Sequence, residues 1–583
     1  MKLPPARPIS WFPFLEDFGR YQLSSLRFDL LSALSVALMT IPQSIAYSLL
    51  AGLPPTAGLF SAIFGMIFTA TFGSTRLLIA GPTVGTAILL QTAIAAEIYT
   101  QYPGQEISEA LLFHILTQFV VLIGVIQIAA AFFHVGKLLQ FVSRPVVLGY
   151  FAGIAVALTV TQLFNFTGIP SPERKGPIFL QVGWFFLHLT SFHGPALLLG
   201  LASLLLLIVL RKWCKNLPNA LIVLLLGWLV QFALTHLPWG ASLQTLGNAT
   251  PPVQPIPQLS LPLLDFSLMS HFFPAALAIA SLSILEVFSV ARTFAPKIGQ
   301  ALRIPQDVFA VGLSNFLLSF FVSAMPTSIS ATRTHLNYRL QAKSRLSAVF
   351  SALVTALLIF FGWPLVSGIP LATLGALLIF MAPTLIDFRE LTFSLRATRA
   401  DAWVFFLTFF SCLLFTLEVA FFLGILVSIG SYLRKTATPH LVEYAFNAKG
   451  RLTLASSKEE AHRKVRIIGI AGDFYFATAD LFALTVEMIL QDRNVQAVVL
   501  RLNNVQYMDA SMGLAIGHLH ETLVSTGRHL LISGITDEVW TVFQRAGLAK
   551  RIGLDNLYFR DESNPQFSTW KACLRAQELT NII

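Results

Sequence analysis

The chain has 583 residues, of which 55% are hydrophobic and only 12% charged. This composition excludes an ordinary soluble globular protein and is typical of a protein that crosses a membrane many times. The net charge is +10: residues 1–435 hold 24 Lys and Arg against 14 Asp and Glu, whereas residues 436–583 hold 15 of each. The excess therefore belongs to the membrane part, where basic loops account for it, and we expect no nucleic-acid partner.

Apolar stretches follow one another along the first three quarters of the chain and lack the alternation of a membrane β-barrel, so they predict α-helical spans. There are fourteen of them, at residues 29–51, 56–72, 80–96, 111–133, 145–165, 195–212, 218–236, 270–292, 308–322, 327–338, 346–362, 368–386, 402–416 and 418–433. With the N-terminus in the cytoplasm, almost every loop Lys and Arg falls on the cytoplasmic side, and only Arg174 and Lys175 fall outside. This distribution predicts a multi-pass protein with both termini in the cytoplasm. We expect it in the plasma membrane.

Residues 323–345 interrupt the apolar pattern at a depth where polar groups are rare. They include Pro326, a series of hydroxyl residues and Arg333, with apolar runs on both sides. A proline followed by small hydroxyl residues predicts a helix that begins inside the membrane, and its free N–H groups and positive dipole end form an anion site. The alternative is a connecting loop whose arginine reaches the headgroups.

Residues 73–90 contain a second interruption, with Gly81 and Pro82 followed by Thr and Gly. Pro82 lies 53 residues after Asp29, and Pro326 lies 56 residues after Ser270, near the starts of two spans. Broken helices at corresponding places in two halves indicate the midplane site of a transporter. We therefore predict two repeats, at about residues 29–236 and 270–435, joined by a Pro-rich external linker.

Glu286 is a lone carboxylate in the middle of a predicted span. Such a group is unfavourable in a membrane unless it is protonated, paired or coupled to an ion. One interpretation is proton coupling and the other is a fixed ion pair with Arg333. Sodium would require further oxygen ligands, and the position one turn later is Val290, which favours the proton.

The composition changes to that of a soluble domain after residue 435. Runs typical of strands occur at residues 465–470, 495–502 and 530–533, alternating with amphipathic helices near residues 478–491, 511–526 and 537–545. We find no phosphate-binding loop, no metal-ligand cluster and no nucleophile with a base. The domain is therefore predicted to regulate or assemble the protein, and we expect neither an enzyme nor a cofactor or metal.

Several long motifs resemble those of the sulfate permease (SulP) anion transporters, and together they cover nearly the whole chain. They read IPQSIAYSLLAGLPP, GLFSAIFGMIFTATFGSTRLLIAGPT, LEVFSVARTFA, PQDVFAVGLSNF and SISATRTHLN. The C-terminal part is similar to the STAS domain through VQYMDASMGLAIGHLHETL and RAGLAKRIG.

The resemblance implies a polytopic α-helical membrane protein of 14 spans in two inverted seven-helix repeats, divided into core and gate. Residues 1–28 would form a cytoplasmic N-terminal segment, residues 29–435 the transport domain, and residues 436–583 a linker and a cytoplasmic α/β STAS domain. Family members usually form homodimers. In this fold the half-helices of spans three and ten meet N-terminus to N-terminus and hold one anion.

The resemblance also implies site residues in this sequence. The anion-binding residues would be Gln43, Tyr47, Thr83, Val84, Ser330, Ala331, Thr332 and Arg333. Gln43 has the alternative role of joining helices, and Tyr47 that of simple packing. In the STAS domain, Asp509 and Ser511 stand where related proteins place a phosphorylatable serine, but the sequence DASMG departs from the usual pattern and favours Ser511 as a helix N-cap.

These features predict a secondary active transporter of a small oxyanion, with sulfate moved by alternating access together with protons. Bicarbonate or a dicarboxylate such as fumarate would use the same kind of site. Two further functions fit the sequence. One is a membrane sensor that binds an anion and signals through the STAS domain, and the second is an uncoupled anion channel.

Overall fold

The computed structural model describes residues 9–14, 21–101, 108–133, 142–172, 177–213, 219–236, 243–249, 256–436, 440–447, 451–455, 464–471 and 494–580 except 506, with a few single positions between 475 and 492. The chain divides into two compact units, Met1–Ile429 and Gly430–Ile583. The first contains the apolar helices and the second a mixed sheet.

Within the described residues, two series of seven helices follow one another in the first unit, and the last helix continues into the second. The first series is α1 Leu26–Leu50, α2 Pro55–Phe72, α3 Val84–Gln101, α4 Glu109–Phe132, α5 Arg144–Thr167, α6 Gly194–Trp213 and α7 Asn219–His236. The second series is α8 Phe266–Phe294, α9 Ile304–Leu318, α10 Ala331–Arg339, α11 Leu346–Ser367, α12 Leu371–Met381, α13 Arg399–Leu414 and α14 Leu417–Thr436. The predicted order of fourteen helices is confirmed, although α10, with the sequence ATRTHLNYR, is polar and not apolar.

The fourteen helices differ in length and hydropathy. Among the described residues, nine helical segments are long and apolar enough to cross a membrane. Helices α3, α9, α10, α13 and α14 are not among them, and α10 has only 9 residues. The stretch predicted at residues 327–338 is therefore a helix only from Ala331, because its first residues form a strand.

Twelve of the fourteen helices pack in two groups that agree with the predicted core and gate. Helices α1 to α4 pack mainly against one another and against α8 to α11. Helices α5, α6, α12 and α13 form the second group, in which α5 contacts the other three. Direct contacts between the groups are fewer, for example from α3 to α5, and α7 contacts both α1 and α6.

Three short helices accompany the spans. They are Ile178–Leu187, Leu246–Ala249 and Phe388–Ala397. The first accounts for the apolar residues 178–190, which the sequence did not assign to a span. It buries Phe185 and exposes Phe186 and Leu187, as expected for a helix that lies along a surface rather than across a membrane.

Two very short strands join the two series at their interruptions. Strand β1 (Ala80–Gly81) precedes α3, and strand β2 (Ser328–Ile329) precedes α10. They pair antiparallel, with Ala80 opposite Ile329 and Gly81 opposite Ser328. The pairing satisfies backbone groups that would otherwise be unpaired in an apolar interior.

The second unit contains a six-stranded sheet in the order β4-β3-β5-β6-β7-β8. The strands are β3 His440–Phe446, β4 Leu452–Leu454, β5 Val465–Ala471, β6 Ala497–Asn504, β7 His529–Ile535 and β8 Leu557–Phe559. Strands β5 to β8 are parallel, and β3 pairs antiparallel with both β4 and β5. The sequence predicted β5, β6 and β7 but missed the shorter or more polar β3, β4 and β8.

Helices cover the faces of this sheet. They are α15 Ala510–Ser525, α16 Asp537–Arg545, α17 Leu548–Ile552 and α18 Phe567–Leu579. Helices α15 and α16 were predicted within one residue, since each has a clear N-cap and an amphipathic pattern. The helix predicted near residues 478–491 lies almost entirely outside the described residues.

Candidate functional site

The paired strands β1 and β2 bring the starts of α3 and α10 together. Residues opposite each other in antiparallel strands have Cα atoms about 5 Å apart. Helix α3 begins at Val84, three residues after Gly81, and α10 begins at Ala331, two residues after Ile329. Two helix N-termini with their positive dipole ends therefore lie on either side of one strand pair.

The first turn of α3 is capped by Thr83 and Thr86. The Thr86 N–H donates to Thr83 Oγ1 at 3.3 Å, and the Thr83 N–H donates to Thr86 Oγ1 at 3.2 Å. The Thr83 N–H is therefore occupied within the turn and is not one of the free amides at this helix end. Among the described residues we see no partner for the N–H groups of Val84 and Gly85, which leaves these two as the available donors.

The first turn of α10 has the same organisation. The Ser330 hydroxyl accepts from the Arg333 N–H at 3.4 Å, and the Ser330 N–H donates to Ile79 O at 2.9 Å. The N–H groups of Ala331 and Thr332 have no partner within the described structure. Both residues are exposed, so their amides border open space that a small anion can enter.

Arg333 lies at the junction of the two half-helices. Its side chain is 0% exposed, and its Nη2 donates to Pro82 O at 2.6 Å, whereas Nε and Nη1 have no partner among the described residues. A Cβ on Gly81 would lie 2.6 Å from Arg333 Nη1, and Gly81 has a φ of +147°. Arg333 is therefore a buried cation packed on the β1 backbone, and the alternative of a loop arginine at the headgroups is wrong.

Glu286 reaches the same region from the middle of α8. Its Oε2 accepts from Thr83 Oγ1 at 3.2 Å, and its Oε1 would be 3.5 Å from a Cβ on Gly85. The structure describes both Glu286 and Arg333 and shows no ion pair between them, although they are within electrostatic range. The alternative of a fixed ion pair is therefore not what the structure contains, and the carboxylate borders the first turn of α3 instead.

The two predicted residues of α1 are both buried. Gln43 is 2% exposed, and neither atom of its amide has a hydrogen-bond partner among the described residues. Tyr47 is 5% exposed, belongs to the same apolar cluster as Val84, and lies within electrostatic range of Arg333 and Glu286. A buried amide without a partner is unfavourable unless a ligand or water completes its hydrogen bonds.

Asn315 of α9 holds the segment that leads into α10. Its Oδ1 accepts from Thr327 N and Oγ1, both at 2.8 Å, and its Nδ2 donates to Thr327 O at 3.0 Å and to Gln127 Oε1 at 2.8 Å. Sequence reasoning did not identify this residue, although an asparagine in the middle of an apolar helix was a detectable signal.

Two buried aspartates hold two loops near the half-helices. One loop precedes β1, and the other follows α10. Asp307 accepts from the N–H and hydroxyl groups of Ser74 and Thr75, at 2.6 to 3.0 Å. Asp29 accepts from Lys343 N at 2.7 Å and from the Ser344 hydroxyl at 2.7 Å. Each series of helices thus supplies one carboxylate that orders a loop of the other series.

The predicted regulatory residues lie at the start of α15 in the second unit. Asp509 is the N-cap and accepts from Met512 N at 3.0 Å. The interpretation of Ser511 as the N-cap is therefore wrong, because Ser511 is the second residue of the helix. Ser511 is exposed.

Comparison with known proteins covers both units. Residues 26–408 match the model of the sulfate permease family, and residues 457–562 match the model of the STAS domain. A protein of Mycobacterium tuberculosis named "Probable sulfate transporter" is 28% identical over 565 residues, covering 95% of this chain and 98% of that protein.

Two solved structures have a similar fold. The murine Solute Carrier 26 family member A9 anion transporter, in the inward-facing state, has a TM-score of 0.86 at 20% identity and covers 99% of this chain and 96% of its own. The transmembrane domain of a cyanobacterium bicarbonate transporter has a TM-score of 0.56 at 20% identity, covering 70% of this chain and 98% of its own. At these identities the two structures establish the fold alone.

Proposed function

Because the chain belongs to the sulfate permease family, which consists of membrane transporters and not of enzymes, we propose that it is a secondary active transporter of sulfate. The anion binds between α3 and α10, and the core group of helices moves against the gate group by alternating access. Protons move with the anion.

The main observation behind this proposal is that several positively charged groups lie close together between α3 and α10. Two helix N-termini, each with about half a positive charge, meet beside the cation of Arg333. Four first-turn amides, of Val84, Gly85, Ala331 and Thr332, lack partners among the described residues. Dipoles and neutral donors of this kind hold an oxyanion without a full countercharge, so that it is released again.

The position of Glu286 supports proton coupling. A carboxylate hydrogen-bonded to Thr83, at the start of α3, repels an anion bound to the α3 amides when it is ionised. Protonation removes that repulsion, so the proton and the anion favour each other's binding. Sodium has less support, because Val290 offers no oxygen ligand one turn further along α8.

The remaining assignments follow from the same transport mechanism. We place the protein in the plasma membrane with both termini in the cytoplasm, as a homodimer. Residues 1–28 form the N-terminal segment, 29–435 the transport domain and 436–583 the linker and STAS domain. Gln43 and Tyr47 line the anion site with the residues of α3 and α10, and Asp509 and Ser511 belong to a regulatory surface.

The decisive experiment is uptake of labelled sulfate into proteoliposomes, with unlabelled sulfate, bicarbonate and fumarate as competitors. We expect saturable accumulation that an inward proton gradient increases and that unlabelled sulfate inhibits most strongly. Stronger inhibition by bicarbonate than by sulfate would identify bicarbonate as the substrate. The fold shared with the cyanobacterial bicarbonate transporter supports this alternative.

Two further outcomes would contradict secondary active transport and support another mechanism. Sulfate binding by the purified protein without accumulation in vesicles would indicate a sensor that acts through its STAS domain. Current driven by voltage without saturation would indicate a channel.

A further inference from the structure

A cavity of about 480 Å³ lies at the far end of α10, away from the anion site. It is bordered by the last residues of α10, by the turn Pro296–Ile298 after α8, and by the segment that leads into β1. Its charged lining residues are Arg76, Lys297, Arg339 and Lys343, and no carboxylate lines it within the described part of the chain. With both termini in the cytoplasm, it opens on the cytoplasmic side.

Three of these cations have no anionic partner among the residues that the structure describes. No ion pair involves Lys297, Arg339 or Lys343 among the described residues, and all three side chains are exposed. Lys297 Nζ lies over the rings of Phe294 at 5.1 Å and Tyr338 at 5.7 Å. Aromatic faces hold a cation in place without neutralising it.

Two carboxylates on neighbouring segments are held by other hydrogen bonds and do not line the cavity. Asp29 accepts from the Lys343 backbone N–H at 2.7 Å, and Asp307 accepts from Ser74 and Thr75. Both groups are buried, with exposures of 0% and 1%. The cavity therefore brings several positive charges together around one space of about 480 Å³.

We propose that this cavity is a second anion site, which takes a phosphate-bearing ligand and is distinct from the transport site. Its volume lies within the usual range for ligand pockets, roughly 300 to 1,000 Å³. Basic pockets between helices at the cytoplasmic face bind phosphate headgroups of lipids. A phosphate group offers several anionic oxygens that accept charge-assisted hydrogen bonds from nearby Lys and Arg side chains.

The two anion sites are connected through α10. Arg339 follows Arg333 by six residues, which is about 9 Å along a helix. Asn337 Nδ2 donates to Leu77 O at 3.0 Å, which links α10 to the segment before β1. A ligand in the cavity therefore contacts both segments that lead to the transport site and stabilises their relative position.

Lysine footprinting locates the ligand directly. The purified full-length protein is treated with an amine-acetylating reagent and its lysines are quantified by mass spectrometry. One arm uses detergent with or without inorganic pyrophosphate, and the other uses nanodiscs of phosphatidylcholine with or without phosphatidylglycerol. We expect slower acetylation of Lys297 and Lys343 but unchanged acetylation of Lys212, an exposed lysine in the last turn of α6.

The two arms separate the two sources of phosphate. Protection by pyrophosphate identifies a soluble phosphate compound, and protection only by phosphatidylglycerol identifies a lipid headgroup. Equal protection of all three lysines, or none in either arm, would overturn the proposal, since it would indicate diffuse surface binding or no binding.

Paired variants test the same site through affinity. K297Q with K343Q removes two lining charges, and K212Q with R396Q removes two exposed charges elsewhere. We expect the cavity pair to bind the protecting probe roughly 30-fold more weakly than the wild type, and the control pair to bind it unchanged. Equal affinity in the two pairs would contradict the assignment. The result does not depend on which anion the protein transports, because binding is measured and not uptake.

Discussion

Arg333 is a buried cation beside two helix ends that are themselves positive. Burial removes water from the guanidinium, and Pro82 O is the acceptor that the structure provides. Like charges brought together in a poorly solvated place raise the free energy of the empty site. A bound anion lowers that free energy, so Arg333 and the two dipoles together explain why the site requires one.

Replacing Arg333 by alanine removes the full charge from this site. Hydrogen bonds to charged groups contribute about 1.5–3 kcal/mol, so we expect the KM for anion uptake to rise about 10- to 100-fold, or uptake to be lost. Proteoliposome uptake measures this, with size-exclusion chromatography to verify folding. R292A is the matched control, because Arg292 is exposed and lies over Phe288. Unchanged uptake by R333A would remove the residue from the site.

Position 81 requires glycine because the Arg333 guanidinium packs directly against the backbone there. A methyl group there would lie 2.6 Å from Arg333 Nη1, and its φ of +147° disfavours any other residue. We therefore expect G81A to displace the guanidinium and to reduce uptake as strongly as R333A does. G183A is the control, since nothing lies within 4 Å of the added carbon. Full activity of G81A would mean that the position of the guanidinium does not matter.

Glu286 can be tested without loss of its hydrogen bond. In E286Q the amide oxygen still accepts from Thr83 Oγ1, which is 3.2 Å from the carboxylate in the structure, but the group no longer takes up a proton. We expect exchange of anion for anion to persist while stimulation by a proton gradient disappears. Uptake and exchange are measured at several pH values, with the exposed E390Q as the control. Equal loss of both activities would assign Glu286 a structural role.

At the scale of elements, the half-helices depend on partners far away in the sequence. A helix of 9 residues such as α10 is too short to be stable alone. It is fixed by the pairing of β1 with β2, by the hydrogen bond from Ile79 N to Thr334 Oγ1 at 3.1 Å, and by Asn315. The two interruptions therefore stabilise each other, and neither forms a site alone.

Asn315 is the residue whose loss should affect these elements most. N315A leaves Thr327 N and O without their partner, and each buried polar group left unpaired costs about 1–3 kcal/mol. We expect a destabilisation of about 3 kcal/mol and a lower melting temperature in detergent. N165A is the control, because among the described residues the Asn165 side chain donates one bond, to Gln162 Oε1 at 3.0 Å. A similar melting temperature for both variants would show that the α9 contact is not important for stability.

At the scale of the whole molecule, the second unit has a core of its own. Strands β5 to β7 and helices α15 to α17 enclose a cluster that includes Leu500, Met512, Ile516, Ile532 and Phe543. Strand β3 covers β5, and Arg466 Nε on β5 donates to Glu443 Oε1 on β3 at 2.6 Å. This organisation is that of a domain that folds independently.

A fragment of residues 437–583 should therefore be soluble and unfold cooperatively. A shorter fragment, 451–583, lacks β3 and exposes the edge of β5, so we expect a lower melting temperature and aggregation. Circular dichroism during heating compares the two. A fragment 437–583 that shows no cooperative transition would mean that this unit needs the membrane unit to fold.

Sequence alone determined the features that are local along the chain. The fold class and the family could be predicted from the fourteen apolar runs, the two prolines at corresponding positions and the motif resemblance. Hydrophobicity and helix interruption depend on residues that are adjacent in the chain, so a single stretch of sequence shows them. The helices α15 and α16 were predicted almost to the residue for the same reason.

Tertiary structure decided which atoms of the candidate site are free. Thr83 N–H is occupied by Thr86, Gly85 N–H is available, and Glu286 contacts Thr83 instead of forming an ion pair with Arg333. Asn315, the need for glycine at position 81 and the basic cavity beside α10 also emerged only from contacts between distant segments. Hydrogen-bond saturation and cavity shape depend on such contacts, so no single stretch of sequence contains them.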